Sequence, residues 1–118
     1  MTPPGCIFCK IVRGELPAKK VHEDEHILAF HDVHPLAPVH ILVIPKLHLA
    51  SLMDCDDSHH DVLGRMLAVA GRLASENGSA DGFRTIINTG RVGGQEVYHL
   101  HAHILGGPDR LPRMLYRD

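Results

Sequence analysis

The sequence predicts an antiparallel α+β fold, and three of its features support this prediction. Short β-prone segments occur both before and after one long helical stripe, and the links that join them are short. This order differs from the regular strand–helix alternation of parallel α/β domains. The length of 118 residues, without an internal repeat, suits a single domain over residues 1–118.

The N-terminal part of the chain is expected to form a short helix and three strands. The helix covers residues 6–12, where three apolar residues recur at helical spacing: Ile7, Phe8 and Ile11. A short strand begins at Val21, and a second strand covers His26 to Asp32. The segment His40 to Ile44, HILVI, is apolar and rich in β-branched residues, and Pro45 ends this third strand.

The second half is expected to form one long helix and two strands. Asp54 to Ser58 supply candidate N-caps, Asn77-Gly78 is a C-terminal cap, and the apolar stripe between them has 3.6-residue spacing: Val62, Leu63, Met66, Leu67, Ala70, Leu73 and Ala74. Strands are predicted over Phe83–Asn88 and Val97–Leu105, and a glycine-containing loop, Thr89–Glu96, joins them.

Histidine is in excess, with 11 residues in the chain, and three of them alternate in the stretch VYHLHAHILGG. Because the side chains of a strand alternate between its two faces, His99, His101 and His103 would form one row. The residues between them would face an apolar core: Leu100, Ala102 and Ile104. A row of imidazoles backed by a core is typical of a functional site.

Three interpretations of this row remain open on spacing alone. A neutral imidazole such as that of His101 can attack phosphorus or an acyl carbon, provided that a hydrogen bond fixes which ring nitrogen keeps its proton. The glycines of residues 90–95 would then bring backbone donors close to an anion, and Gln95 would add a side-chain donor. In the second interpretation the histidines ligate a catalytic metal. In the third, the histidines lie close together by chance and have no shared function. In either case the loop can be an ordinary hairpin turn.

Charge and composition argue against several classes of partner. The net charge of −2 and the lack of a Lys/Arg run argue against nucleic acid, although a single nucleotide remains compatible. The sequence has neither a signal-like N-terminus nor an apolar run of about 18 residues, so we expect a cytoplasmic protein without a membrane partner. In that compartment Cys6-x-x-Cys9 is half of a metal site or a free thiol pair, and Cys55 is a lone thiol.

Three stretches together carry a resemblance to a known family. The residues HLHAHIL fit the pattern His-φ-His-φ-His-φ-φ, where φ is apolar, and the flanking stretches are CIFCKIVRGELPA, LAFHDVHPLAPVHILVIPKLH and GGQEVYHLHAHILGG. Over residues 5–107 the chain resembles the Hint branch of the histidine triad (HIT) superfamily. The resemblance implies a five-stranded antiparallel sheet with one long and one short helix, and a homodimer that joins two sheets into one of ten strands.

The implied activity is hydrolysis of the P–N bond of adenosine or other purine nucleoside 5′-phosphoramidates through a covalent nucleotidyl-histidine, without an organic cofactor. In this reading His101 is the nucleophile, and His103 contacts the phosphate and helps the leaving amine to take a proton. His40 holds the histidine network in register, and His99 completes the catalytic set. The resemblance leaves two alternatives open, which are hydrolysis or nucleotidyl transfer with dinucleoside polyphosphates and a regulatory nucleotide-binding scaffold.

The resemblance also implies a nucleotide pocket. Asp32 would accept hydrogen bonds from the ribose hydroxyls. The base would contact Phe30, His31, Val33, Ile7, Phe8 and Ile11. The phosphate would be flanked by Asn88, Gly94, Gln95 and Val97.

A structural zinc site is implied as well, on Cys6, Cys9, His48 and His99. Two thiolates and two neutral imidazoles suit tetrahedral Zn²⁺ and leave no position for a catalytic water. Glu96 departs from the pattern, because some relatives carry Ser or Thr there, and we expect its carboxylate to turn away from the phosphate or to assist the leaving group.

Overall fold

In the computed structural model, which describes residues 3–115, the chain forms a five-stranded antiparallel sheet with helices packed against it. The elements in chain order are α1 (Ile7–Val12), β1 (Lys20–Glu23), β2 (Ile27–His31), β3 (Val39–Pro45), α2 (His60–Ala68), α3 (Ala70–Glu76), β4 (Arg84–Ile86) and β5 (Ala102–Gly106). The strands lie in the order β1-β2-β3-β5-β4, which confirms the predicted α+β fold class. None of the helices in this part of the chain has the length and apolar character that crossing a membrane requires.

The central strand β3 is buried along its whole length, because both faces of the sheet are covered. On one face, alternate residues of β2, β3 and β5 pack with the buried side of α2 and α3 in the larger core. On the other face, Leu42 and Ile44 pack with Phe8 and Ile11 of the short helix α1. A strand covered on both faces carries an almost continuous apolar sequence, as HILVI does.

The predicted long helix consists of two consecutive helical segments, α2 and α3, which meet at Val69. Val69 keeps right-handed helical dihedral angles, so the chain continues in nearly the same direction. The apolar stripe is buried at Met66, Ala70, Leu73 and Ala74, whereas Leu67 is 54% exposed. Leu67 follows Met66 by one residue and therefore lies about 100° further around the helix, at the edge of the stripe.

Strand β5 is shorter than the predicted Val97–Leu105, because pairing with β3 does not extend as far as Pro45. Proline offers a carbonyl to the neighbouring strand but no N–H. Residues 97–99 bend away instead, and the Leu100 N–H donates to the Leu49 carbonyl at 2.7 Å. The alternation of side chains persists nonetheless, since Leu100, like the strand residues after it, packs in the larger core.

A pair of glycine variants tests the packing between the C-terminal end of β5 and the turn after α3. A Cβ at Gly106 would overlap the Ser79 hydroxyl and lie 2.7 Å from the Ser79 Cβ, and Ser79 is 2% exposed. That hydroxyl donates to Gly82 O and accepts from the Gly107 N–H. Gly106→Ala should therefore lower the free energy of unfolding by about 1–3 kcal/mol in urea denaturation.

Gly64→Ala is the matched control. Gly64 lies inside α2, and an added Cβ there meets no atom within 4 Å. This change should raise the free energy of unfolding by about 0.5–1 kcal/mol, because alanine is the better helix former. Equal effects of the two substitutions would contradict the assigned packing.

Candidate active site and metal centre

A cavity of about 600 Å³ opens on the face of the sheet that α1 covers. Its apolar wall contains the predicted base-contacting residues and one predicted phosphate neighbour: Ile7, Phe8, Ile11, Phe30, Val33 and Val97. Its polar lining contains further predicted residues: His31, Asp32, His40, Asn88, Gly94, His101 and His103. The structure therefore brings all but one of the predicted nucleotide-pocket residues to a single cavity.

Strand geometry positions the reactive side chains. His40 and Leu42 are two residues apart on β3 and share a face, and Leu42 lies opposite His103 of β5. The aromatic ring of Phe8 stands edge-on to His101, with ring centroids 5.2 Å apart, and edge-on to Phe30 at 5.7 Å. Helix α1 therefore presses an aromatic side chain against the middle histidine of the row.

A backbone carbonyl fixes the tautomer of His101. The ring Nδ1 lies 2.7 Å from the carbonyl oxygen of His99, and because a carbonyl only accepts, Nδ1 carries the proton. The other nitrogen, Nε2, then keeps its lone pair on a ring that lines the cavity. An imidazole held in this way is arranged as a nucleophile.

His103 is held in the other tautomer, with its proton on Nε2. The Leu36 N–H donates to Nδ1 of His40 at 3.0 Å, so the proton of His40 lies on Nε2. His40 Nε2 in turn lies 2.9 Å from Nδ1 of His103, which must accept. The proton of His103 is therefore on Nε2, and this side chain presents a hydrogen-bond donor where His101 presents a lone pair.

Burial keeps these rings neutral. Burial, together with the charges of His101 and His40, lowers the pKa of His103 to about 4, against an opposing effect of the Asp32 carboxylate. Burial likewise lowers the pKa of His40, against a smaller opposing effect of the Asp32 carboxylate. Near neutral pH, both rings therefore act through the hydrogen bonds of their neutral forms.

Asp32 directly follows β2, and each of its carboxylate oxygens already has one polar neighbour. One oxygen accepts from the His34 N–H at 2.8 Å, and the other lies 3.4 Å from His40 Nε2. A carboxylate oxygen has two acceptor sites, so acceptor capacity remains for two hydroxyl groups. This arrangement suits a vicinal diol such as that of ribose.

Gln95 is the predicted pocket residue that does not line the cavity. Its side-chain oxygen accepts from the Gly90 N–H, its amide nitrogen donates to Ala50 O and Val97 O, and its backbone N–H donates to Gly90 O. Gln95 closes the loop before the histidine row. A donor role toward phosphate would require it to give up one of these bonds.

Sequence reasoning omitted three residues of the cavity: His34, Leu36 and Leu42. Leu42 could have been found, because it is two residues from His40 on the same strand. No pattern marks His34 or Leu36, which lie in the loop between β2 and β3. Glu96 was expected to turn away or to assist the leaving group, and the structure places it in the cavity lining, where it is exposed.

The predicted metal ligands lie close together in a second cluster, which includes His99. The ligand atoms of Cys6, Cys9, His48 and His99 all lie within 4.8 Å of one another. Sulfur–nitrogen distances are 3.4 Å from Cys6 to His99 and 3.2 Å from Cys9 to His48, and the two Nδ1 atoms lie 3.1 Å apart. Bonds of about 2.3 Å to sulfur and 2.0 Å to nitrogen around tetrahedral zinc give edges of this size.

Local structure prepares this donor set. Cys6 caps the N-terminus of α1, and one helical turn later Cys9 points the same way. Nε2 of His99 lies 2.8 Å from the Pro45 carbonyl, so Nδ1 is unprotonated and faces the thiols. Burial, with the neighbouring Cys6, raises the pKa of the Cys9 thiol to about 11, and a bound cation would reverse this effect. The residues present therefore fit Zn²⁺.

One cavity thus combines an imidazole with a free lone pair, an imidazole N–H donor and an apolar wall, an arrangement that suits a nucleotide-binding site. Residues 13–110 match the HIT domain family, so the chain belongs to the HIT family, as its histidine pattern indicated. It is 50% identical to Protein HitA of Neisseria gonorrhoeae, over 88% of this chain and 97% of that protein.

Two further relatives agree with this assignment. The chain is 46% identical to the purine nucleoside phosphoramidase of Escherichia coli strain K12, over 94% of each chain. A solved structure of a histidine triad protein from Clostridium difficile superposes with a TM-score of 0.90 at 48% identity, covering 98% of this chain and 100% of that one.

The tautomers can be tested directly by NMR. Long-range ¹H–¹⁵N spectra of ¹⁵N-histidine-labelled protein should show His40 and His103 as neutral Nε2–H forms and His101 as the Nδ1–H form. Because the pKa of His103 is lowered to about 4, its ring should remain neutral as the pH falls from 7 to about 5. A His103 imidazolium or Nδ1–H form at about pH 6 would contradict the assignment.

Proposed function

We propose that this protein is a hydrolase that cleaves the P–N bond of purine nucleoside 5′-phosphoramidates through a covalent nucleotidyl-His101 intermediate. The observation that carries the proposal is the pair of opposite tautomers in one cavity, a lone pair on His101 and an N–H on His103. The 46% identity to a purine nucleoside phosphoramidase over nearly the whole chain supports the substrate class.

The bound nucleotide would use the two sides of the cavity. Phe8 and Phe30 offer aromatic surface to the purine, and Asp32 offers acceptors to the ribose. This placement leaves the 5′-phosphate against the histidine row. A flat apolar wall beside a few placed polar groups is the usual composition of a nucleotide site.

The first chemical step forms a bond between His101 Nε2 and the α-phosphorus while the bond from phosphorus to the amine nitrogen breaks. The Nδ1–H to the His99 carbonyl spreads the positive charge that develops on the ring. The His103 N–H donates to the phosphoryl group, and the nitrogen takes one proton from solvent water and leaves as a neutral amine. A water molecule then attacks phosphorus as the bond to His101 breaks, which releases the nucleoside monophosphate, returns one proton to the solvent and restores neutral His101.

We further propose that Cys6, Cys9, His48 and His99 hold a structural Zn²⁺. The ion would tie α1 to the segments that follow β3 and precede β5, and it would supply rigidity rather than an activated water. Two thiolates balance its charge, so it would exert little net field on His101.

A homodimer and a cytoplasmic location complete the proposal. Strand β4 lies at an edge of the sheet, and Phe83, which directly precedes it in the chain, exposes 40% of its surface. Leu67 on α2 exposes 54%. A second copy would cover such surface and extend the sheet. Cys6, Cys9 and Cys55 are free thiols, which agrees with a reducing compartment.

The nucleophile can be tested by intact-protein mass measurement after rapid quench with an adenosine 5′-phosphoramidate. The wild type should gain the mass of one adenylate, and His101→Ala should gain none and lose at least about a thousandfold in turnover. His60→Ala is the control, because His60 is 77% exposed outside the cavity and its replacement should leave the adduct in place. Turnover that survives in His101→Ala would exclude the covalent route.

The zinc site can be tested by metal analysis of purified protein. The wild type and Cys55→Ser should contain about one zinc per chain, because Cys55 lies outside the donor set. Cys9→Ser should lose most of the metal and unfold at lower temperature. A zinc-free wild type of unchanged stability would show that the thiols serve another purpose.

A further inference from the structure

The cavity has an unusual balance of charge. No lysine or arginine is among the residues that line it in the described part of the chain, whereas two carboxylates are, Asp32 and Glu96. Buried His40 and half-buried His103 add no compensating charge, because desolvation lowers their pKa. A pocket for a chain of phosphates would be expected to carry fixed cations.

The two carboxylates differ in what they face. Asp32 is partly buried and engaged by the His34 N–H and by His40. Glu96 is exposed and forms no hydrogen bond or ion pair within residues 3–115. An exposed residue that lines a cavity stands at its mouth, and Glu96 belongs to the segment that leads into the histidine row.

The position of Glu96 at the mouth of the cavity brings its carboxylate toward the leaving amine. The nucleotide occupies the apolar wall and the ribose site, so the amine beyond the scissile bond extends toward the mouth. A carboxylate there attracts a positive charge on the departing group and repels a negative one. In partly screened surroundings, one unit charge several ångströms away changes a ratio of rate constants by about three- to tenfold.

We propose that Glu96 is a specificity-determining residue that selects phosphoramidates whose leaving amine carries a second, positively charged group. The inference rests on the proposed P–N hydrolase function and narrows its substrate class. In the first step the His101–phosphorus bond forms, the P–N bond breaks, and the released nitrogen of the departing diamine takes one proton from solvent water while its distal ammonium remains unchanged.

Three adenosine 5′-phosphoramidates test this inference. Their leaving amines have equal length and end in an ammonium, a methyl or a carboxylate group. For the wild type, kcat/KM should fall in that order, by about three- to tenfold for each unit of charge. The differences should shrink in about 0.5 M NaCl, because salt screens an exposed carboxylate.

Charge variants at position 96 separate this effect from others. Glu96→Gln should bring the three substrates close to equal, and Glu96→Lys should reverse their order. Because each ratio is taken within one variant, a general change in activity cancels. Glu25→Gln is the matched control, since Glu25 is 88% exposed outside the cavity and should leave the wild-type order intact.

The outcomes distinguish the inference from the function on which it rests. Turnover of all three substrates in the same order by wild type, Glu96→Gln and Glu96→Lys would overturn the role of Glu96 and leave the hydrolase proposal standing. Failure of the wild type to turn over any of them, with no adduct trapped on His101, would overturn both.

Discussion

The break in pairing between β3 and β5 at Pro45 is the constraint on which the site depends. Proline cannot donate a backbone hydrogen bond, so the chain from residue 97 to residue 101 leaves the sheet and frees carbonyl groups that a regular ladder would have used. Two imidazole rings donate to such carbonyls. The ring of His99 donates to the Pro45 carbonyl, and the ring of His101 donates to the His99 carbonyl. Buried acceptors are thereby satisfied, and two side chains become fixed in orientation.

The departure of residues 97–101 from the sheet therefore gives His99 and His101 different surroundings. His99 turns an unprotonated nitrogen toward the thiols, and His101 turns one toward the cavity, although both rings lie on the same side of the chain. His103, which is inside the regular ladder, obtains its orientation from another strand through His40 and the Leu36 N–H. The three histidines look alike in the sequence and differ because each second ring nitrogen meets a different partner.

Periodicity was enough to predict the fold class, the order of strands and helix, and the separation of the histidines from Leu100, Ala102 and Ile104. It could not predict hydrogen-bond direction, because that depends on groups such as Leu36 N–H that are brought near only by tertiary structure. Gln95 shows the same limit, since an amide beside glycines suggests an anion site, yet its side chain binds Gly90 within the loop and Ala50 outside it. The proposed zinc ligands are separated by up to 93 residues, and only the resemblance to a family connected them before the structure did.

Helix α1 has six residues, too few to be stable without tertiary contacts. One side of it carries Cys6 and Cys9, and the other carries Ile7, Phe8 and Ile11 at the cavity. The proposed metal ligands and the proposed base-contacting residues thus share one short stretch of backbone. An engineer who wished to widen the apolar wall of the cavity could not shift this helix without moving the sulfur atoms, so redesign here must proceed by side-chain replacement alone.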